Sequence, residues 1–590
     1  MKPALIEAIQ KATSSLGIDP STIKLEYPEN PAHGDYSSNV AMVNAKKLGT
    51  APRMLAEKIV ESFKQNKPSC VQEVSIAGPG FINFTLTNNA VSEYTRTILK
   101  EGVNFGKQDI GRGKTVLVEY SSPNIAKPFT VGHLRSTIIG DSIATILTTL
   151  GYTVIRDNHL GDWGTQFGKL IVALDKWGDL NKVKTSTEPI KELVDLYVRF
   201  HDEVEGAQES GNTSLATDLE EQARGAFQTL ESDILNGRDN SELVKTWKTC
   251  IELSKKEFDK VYARLGVSFD SKRGDTELGE SFYISADKSQ PVMDQLKVKN
   301  ILKESEGAQV VFFEGPACAG REKYPPLIIQ KSNGASIYAT RDLAADWYRK
   351  QTYGKKGNLT IINEVGSEQT LYFRQLFEVE KMLGWFTDGE RVHVSHGLYR
   401  FRDGKMSTRK GNVIWLDDII TEAEARAAKI HEESAHDVAL AAIKFNDLKR
   451  DSIQDIVFDW DEMMNMTGDS GPYLQYSCVR ARAVVEKALG LGIISSLAGK
   501  RSDSAGLDLL ERNLVRFADV VAFAGESYKP NAVANYLINL AALFNSFYAQ
   551  SIIADEKDES SAYKVAVTEA FTIVMKQGLG LLGITIPKKM

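Results

Sequence analysis

The sequence predicts an α/β protein: a parallel-sheet nucleotide-binding core with a helical insertion, preceded by an α+β unit and followed by an all-α bundle. Three observations carry this. A βαβ pattern begins at Lys114, strand-like segments alternate with helices again between residues 326 and 384, and beyond about Thr421 only helical periodicity remains. At 590 residues the chain exceeds one compact core, and ordinary domain sizes call for roughly three or four domains.

Residues 1–108 make the first unit: a helical opening, the stretch ENPAHGDYSSNVAMVNAKKL, a helix from about Pro52, and VSIAGPGFINFTL, which alternates like a strand about a Gly-Pro-Gly turn. The run GKQDIGRGK marks its end. The second unit, 109–420, opens with strand KTVLVEYSS, loop PNIAKPFT, helix VGHLRSTIIGDSIATILTTLG and strand YTVIRDN, a βαβ unit feeding a parallel sheet. Between about Lys176 and Phe282 the sequence is helical and highly charged, an insertion between two halves of one domain. PLIIQ, ASIYAT and LTIINEVG then supply strands that alternate with helices DLAADWYRK and TLYFRQLFEVEKMLG, and residues 421–590 read as a helical bundle.

Hydrophobic residues at 42%, charged residues at 25% and a mean hydropathy of -0.25 describe an ordinary soluble globular chain. No apolar run approaches the roughly 18–20 residues that cross a bilayer. The N-terminus has the character of neither a signal nor a transit peptide, so a cytoplasmic location is expected. Cys70, Cys250, Cys318 and Cys478 are too scattered for a zinc knuckle, and the eight histidines show no HExxH, so no protein-held metal is expected. A net charge of -7 argues against bulk attraction to nucleic acid, although an RNA reader need only gather cations on one face.

The segment SSPNIAKPFTVGHLRST is the sharpest chemical signal. In an open α/β sheet, ligands sit beyond the C-terminal ends of the strands, where the next helix turns free N–H groups toward anions. Thr130, Val131, Gly132 and His133 fall at that helix start; Gly132 permits close approach of a nucleotide, and His133 can donate to a phosphate oxygen. A capped helix with one surface histidine is the alternative. GKMSTRKGN, residues 404–412, combines two glycines with Lys405, Arg409 and Lys410, either a clamp for a triphosphate or a solvated basic turn. In GPYLQYSCVRARAVV, Tyr473, Tyr476 and Arg480 share one helical face. They offer stacking surfaces and a cation to RNA bases, or form an aromatic core stripe.

The first two segments resemble the paired HIGH and KMSK signatures of class I aminoacyl-tRNA synthetases, in order and about 270 residues apart. SSPNIAKP, NHLGDWGTQFG at 158–168, IYATRDLAADWYR at 337–349 and KMSTRKGN narrow the likeness to the arginyl enzymes, from GDYSSNVAM near residue 34 to the closing LLGITIPKKM. The resemblance implies a Rossmann-like catalytic domain, an N-terminal domain at the tRNA elbow and a C-terminal anticodon-binding bundle. It also implies ATP with Mg²⁺ as the substrate complex, L-arginine and tRNA(Arg) as partners, and a monomer. Arginyl-adenylate would form first, and the terminal tRNA adenosine would then take the arginyl group.

Carried over residue by residue, the family pattern implies catalytic roles for His133, Lys405, Lys127 and Thr130. ATP would be held by Gly132, His133, Met406, Ser407 and His396, and arginine by Glu119, Asn124, His159, Tyr338, Asp342 and Gln369. Tyr473, Tyr476, Arg480, Phe81 and Asn83 would meet tRNA. A guanidinium calls for planar carboxylates, which Glu119 and Asp342 supply. An N-cap competes as the role of Asp342, and Gln375 rivals Gln369. His396 is open to a purely structural role, and Asp162 and Trp163 would shape the wall beside His159. The chain departs from the class pattern at Thr130, where a first histidine is usual, and at Thr408, where a second lysine is usual; Lys127 stands where arginyl enzymes compensate. Another class I activity and a synthetase-like RNA-binding protein without activity remain the competing readings.

Overall fold

A computed structural model of the chain describes residues 1–28, 30–270, 279–313, 324–332, 337–354, 357–401 and 414–590. It divides into two compact units. The first unites Met1–Phe105 with Arg480–Ala518 and Asn539–Gln577, and the second unites Gly106–Val479 with Asp519–Ile538 and Gly578–Met590.

In the first unit, strands β1 (Tyr36–Ser38), β2 (Val71–Ala77) and β3 (Phe81–Leu86) form an antiparallel sheet in the order β1-β3-β2. The helix Pro52–Gln65 buries Leu55, Ala56, Ile59, Val60 and Phe63, one face at helical spacing, and Phe63 meets Phe84 of β3 with ring centroids 5.1 Å apart. Distant sequence joins this core through buried polar contacts. Arg512 donates to Asp35 Oδ2 at 2.8 Å and to Asn88 Oδ1 at 2.6 Å, and Glu511 Oε1 accepts from Thr95 and Tyr563.

The second unit is built on β4 (Thr115–Glu119), β5 (Thr153–Asp157), β9 (Leu359–Gly366) and β10 (Arg391–His396), all parallel, in the order β10-β9-β4-β5. The chain builds outward from β4 to β5 and then resumes on the other side of β4. The strand order therefore reverses between β4 and β9, where such sheets open a crevice at their C-terminal ends. The helix Val131–Thr149 covers β4 and is buried along almost its whole length. Gly140 allows that packing, because a Cβ there would lie 2.2 Å from the Tyr120 Cβ.

Helices Leu180–Thr185, Pro189–Glu209, Thr213–Leu235 and Glu242–Leu265 follow β5 and the helix Gln166–Trp177. Two sequence expectations change in the second half. PLIIQ does not join the parallel sheet: β8 (Leu327–Gln330) closes a small antiparallel sheet with β6 (Leu302–Ser305) and β7 (Ala308–Val311). A two-residue turn at Glu306 (φ 50°) and Gly307 (φ 79°) makes β6 and β7 a hairpin, and its edge gives β8 the partner its apolar face requires. Of ASIYAT, the described part, from Ile337 on, is not a strand either, since Tyr338 opens the helix Tyr338–Tyr353; Ala335 and Ser336 lie outside the described residues. The short parallel pair β11 (Tyr399–Phe401) and β12 (Ile456–Phe458) completes the strands named here.

Candidate active site

A cavity of about 740 Å³ opens at the reversal between β4 and β9. Its floor is the last residue of β4, Glu119, registered against Asn363 of β9. The loop leaving β4 is strained: Ser121, Ser122 and Ala126 have φ of 69°, 44° and 53°, a conformation that non-glycine residues hold only when their surroundings impose it. Those surroundings are visible. Ser121 N–H donates to Ser136 Oγ at 2.8 Å, Ser122 N–H to Asn158 Oδ1 at 3.2 Å and Ala126 N–H to Ser254 Oγ at 2.8 Å. Tyr262 bonds both Ser121 and Asn158, so the long helix Glu242–Leu265 buttresses the loop. Asn124 bridges to Gly161, where a Cβ would fall 2.2 Å from Asn124 Oδ1; only glycine fits.

Above this loop the helix Val131–Thr149 begins. Thr130 N–H donates to His133 Nδ1 at 3.1 Å, a reciprocal cap that leaves Nε2 as the proton-bearing nitrogen. Burial, aided by the nearby Lys127 charge, pushes the His133 imidazole down to about 4. It is a neutral donor at pH 7. The chain that follows residue 413 returns to this turn: Val131 N–H donates to Ile414 O at 3.2 Å and Leu416 N–H to Phe129 O at 2.9 Å. At the end of β10, burial works against charge on His396, but the Glu364 carboxylate, 2.8 Å from Nδ1, holds the imidazole above its ordinary range.

The opposite wall is acidic. Tyr338, Asp342, Asp346 and Arg349 lie at i, i+4, i+8 and i+11 of one helix and all line the cavity. Asp342 accepts a short hydrogen bond from the Tyr372 hydroxyl and, among the described residues, has no cation within ion-pair distance. Burial raises its carboxyl above the usual range. Glu280 is pushed up to about 7 by burial, against the pull of Arg341, whose Nε lies 3.1 Å from Oε2 without hydrogen-bond alignment. Arg341 also lies over the Tyr338 ring. Both ring nitrogens of His159 are buried beside these groups without a hydrogen-bond partner among the described residues. Glu119 pairs through Oε2 with Arg349 at 2.7 Å and accepts there from Asn363 at 3.0 Å. A cavity in which Asp342 has no cationic partner among the described residues is shaped for a cationic ligand.

The model of the class I arginine-type tRNA synthetase catalytic domain matches residues 95–460, that of the arginyl-tRNA synthetase N-terminal domain 2–86, and that of the DALR anticodon-binding domain 474–590. The arginine–tRNA ligase of Halothermothrix orenii is 36% identical over 609 residues, covering 100% of this chain and 99% of its own. The chain belongs to the arginyl-tRNA synthetase family. The corresponding ligase of Lactobacillus johnsonii is 39% identical over 577 residues, covering 96% of each chain. Among solved structures, arginyl-tRNA synthetase from Plasmodium falciparum aligns with a TM-score of 0.74 at 25% identity, covering 100% of this chain and 98% of its own. That of Thermus thermophilus has the same fold, with a TM-score of 0.77 at 23% identity over the whole of both chains.

In this synthetase the cavity brings together Glu119, Asn124, Thr130, Gly132, His133, His159, Tyr338, Asp342, Gln369 and His396. Lys127 stands just outside the lining, close enough to act on His133. Lys405, Met406 and Ser407 lie outside the described residues. The N-cap alternative for Asp342 is removed, because the helix starts four residues earlier. Gln375 is buried and donates to Pro325 O at 2.7 Å, which leaves Gln369 as the glutamine that faces the cavity. Trp163 is core, edge-on to Trp247, and Asp162 accepts from Ser281 rather than facing ligand. Tyr473, Tyr476 and Arg480 are half-buried on the helix Gly471–Gly490, and Arg480 donates to Asn545 Oδ1 at 2.7 Å. Phe81 is exposed at the start of β3, but Asn83 is only 4% exposed. This corrects the expectation for Asn83, whose side chain offers no surface to tRNA.

Glu280, Arg349, Asn363 and Tyr372 are the site residues that sequence reasoning missed. The polar stripe 338, 342, 346 and 349 was a usable signal for Arg349.

Proposed function

We propose that this chain activates L-arginine with ATP and transfers it to the 3′-terminal adenosine of tRNA(Arg), both steps in the β4/β9 cavity. The observation that carries the reading is Asp342, a carboxyl group that lines the cavity together with Glu119 and is held by the Tyr372 hydroxyl, with no cation in ion-pair distance among the described residues. A guanidinium fork supplies the missing charge and meets both acids with directed donors, which an ammonium point charge does not. Tyr338, Asn124, His159 and Gln369 complete the arginine subsite.

The arginine carboxylate attacks the α-phosphorus in line and pyrophosphate leaves. Neither step needs a protein nucleophile. His133 contributes as a neutral Nε2–H donor to charge developing on phosphate oxygen, with Thr130 fixing its ring and Gly132 giving room at the helix N-terminus. Lys127 and Lys405 neutralise the triphosphate, which arrives as its magnesium complex, with Met406, Ser407 and His396 on the nucleotide. In the second step the same donors hold the α-phosphate as leaving group.

Domain roles follow the same reading: 1–108 meets the tRNA elbow with Phe81, 109–420 is catalytic with its insertion at about 176–282, and 421–590 reads the anticodon with Tyr473, Tyr476 and Arg480. The monomer is the state that the family resemblance implies. Among the described residues no helix is long and apolar enough to cross a membrane, in keeping with work in the cytoplasm. ATP–pyrophosphate exchange with arginine, with and without tRNA(Arg), tests the whole: exchange that depends on arginine is expected, and none under either condition would falsify it.

A further inference from the structure

Arg349 is 2% exposed, yet it reaches the cavity at the end of a polar stripe on the helix Tyr338–Tyr353. Three carboxylates surround it. Its Nη2 lies 2.7 Å from Glu119 Oε2 and donates to Asp157 Oδ2 at 2.7 Å, while Nη1 donates to Asp346 Oδ1 at 2.9 Å. Beyond it, Arg391 joins Asp346 Oδ2 and Glu380 Oε2, each at 2.6 Å. Asn363 Nδ2 adds a second donor to Glu119 Oε2 at 3.0 Å. One oxygen of Glu119 thereby takes both contacts and the carboxylate plane is fixed, and among the described residues Oε1 has no hydrogen-bond or ion-pair partner.

We propose that Arg349, with Asn363, is a positioning residue for amino-acid selection: it locks Glu119 so that a single oxygen, at one fixed angle, meets the substrate guanidinium. An unlocked Glu119 would swing to follow any cation, the flexible ammonium of lysine included. A locked one rewards only a donor that arrives in its plane while a second donor reaches Asp342, the geometry of a fork. The charge balance agrees. Four carboxylates, Glu119, Asp157, Asp346 and Glu380, face the two guanidinium groups of Arg349 and Arg391, so the cluster is short of positive charge. The inference rests on the reading of Glu119 as an arginine ligand.

The test is steady-state ATP–pyrophosphate exchange by the full-length enzyme with tRNA(Arg), using Arg349→Lys, Arg349→Gln, Asn363→Ala and Glu119→Gln. Arg349→Lys keeps the charge and loses the fork. It is expected to raise the arginine KM roughly tenfold or more, with kcat and the ATP KM held within about threefold and the inhibition constant of L-lysine unchanged or lower. Asn363→Ala changes no charge and should move the arginine KM in the same direction, so it carries the test if Arg349→Gln fails to fold. Equal loss in arginine and ATP parameters, or an arginine KM unaltered in Arg349→Lys and Asn363→Ala, overturns the proposal. If Glu119→Gln also leaves the arginine KM unchanged, the arginine-site reading itself falls; if only Glu119→Gln raises it, the positioning role alone falls.

Discussion

Replacing Asp342 by asparagine separates ligand recognition from folding because it should move the two in opposite directions. The amide keeps the shape and can still accept from the Tyr372 hydroxyl, so only the charge is removed. Loss of one partner of a buried charge pair costs about 2–5 kcal/mol. Part of that is offset here, because burial already disfavours the charged form and raises the Asp342 carboxyl. An arginine penalty of about 2–3 kcal/mol remains, roughly 30- to 150-fold in KM, with little change in the ATP KM. Stability should respond the other way. A carboxyl raised in the folded state contributes stability below its unfolded value of 3.8 and loses it as pH rises through the folded value. The neutral amide escapes that loss, so the ligand-free variant should melt higher than wild type at pH 8 and no higher at pH 4. Exchange kinetics at varied arginine and calorimetry at both pH values are the assays. An arginine KM within threefold of wild type, or a lower melting temperature at pH 8, would refute the reasoning.

Four further outcomes follow from the same geometry. His133→Asn retains an acceptor near the Nδ1 position for the Thr130 N–H but removes the Nε2 donor; single-turnover adenylate formation should slow by about 10²–10³ while calorimetric arginine affinity holds. Arginine binding should release protons near pH 6–7, where Glu280 titrates at about 7, and affinity should climb from pH 5 to 7 and then level, as read by calorimetry in buffers of different ionisation enthalpy. Lys127→Ala should raise the ATP KM in pyrophosphate exchange; an unchanged value removes Lys127 from triphosphate neutralisation. Gly140→Ala drives a methyl against Tyr120, an overpacking worth about 3 kcal/mol, and should lower the melting temperature of ligand-free protein without changing the arginine KM of what remains folded.

The parallel core was legible because β4, β5 and β9 each begin with β-branched and apolar residues over strand length, and the helix after PNIAKPFT begins where the loop chemistry says it should. Tyr338 was placed on the wrong element, read as strand where the helix has already begun. Ser-Ile-Tyr-Ala-Thr carries the β-branched and aromatic residues of a strand, and local propensity gives no sign that a helix begins inside it. Asn83 was carried over from the family pattern alone, and nothing in the local sequence shows that its place in β3 is buried. The bracing of the strained loop by Ser254 and Tyr262 was beyond reach, since those residues lie more than 100 positions away on a helix whose periodicity shows only which face is apolar.

Arg349 was missed for a deeper reason. Periodicity arguments take an apolar stripe as the buried face of a helix and a polar stripe as the solvent face. Along Tyr338–Tyr353 that rule fails, for Asp346 and Arg349 are each 2% exposed. Burying such charges is costly, and well-packed apolar side chains of similar volume are often as stable or more so. Packing therefore gives no reason for two guanidinium groups and four carboxylates beneath one crevice. Recognition does. A cation must be selected by shape rather than by charge alone, which demands acids that cannot move, and acids are immobilised most firmly by other cations at hydrogen-bonding distance. In this fold the enzyme's own guanidinium groups set the angle at which the substrate's guanidinium is received.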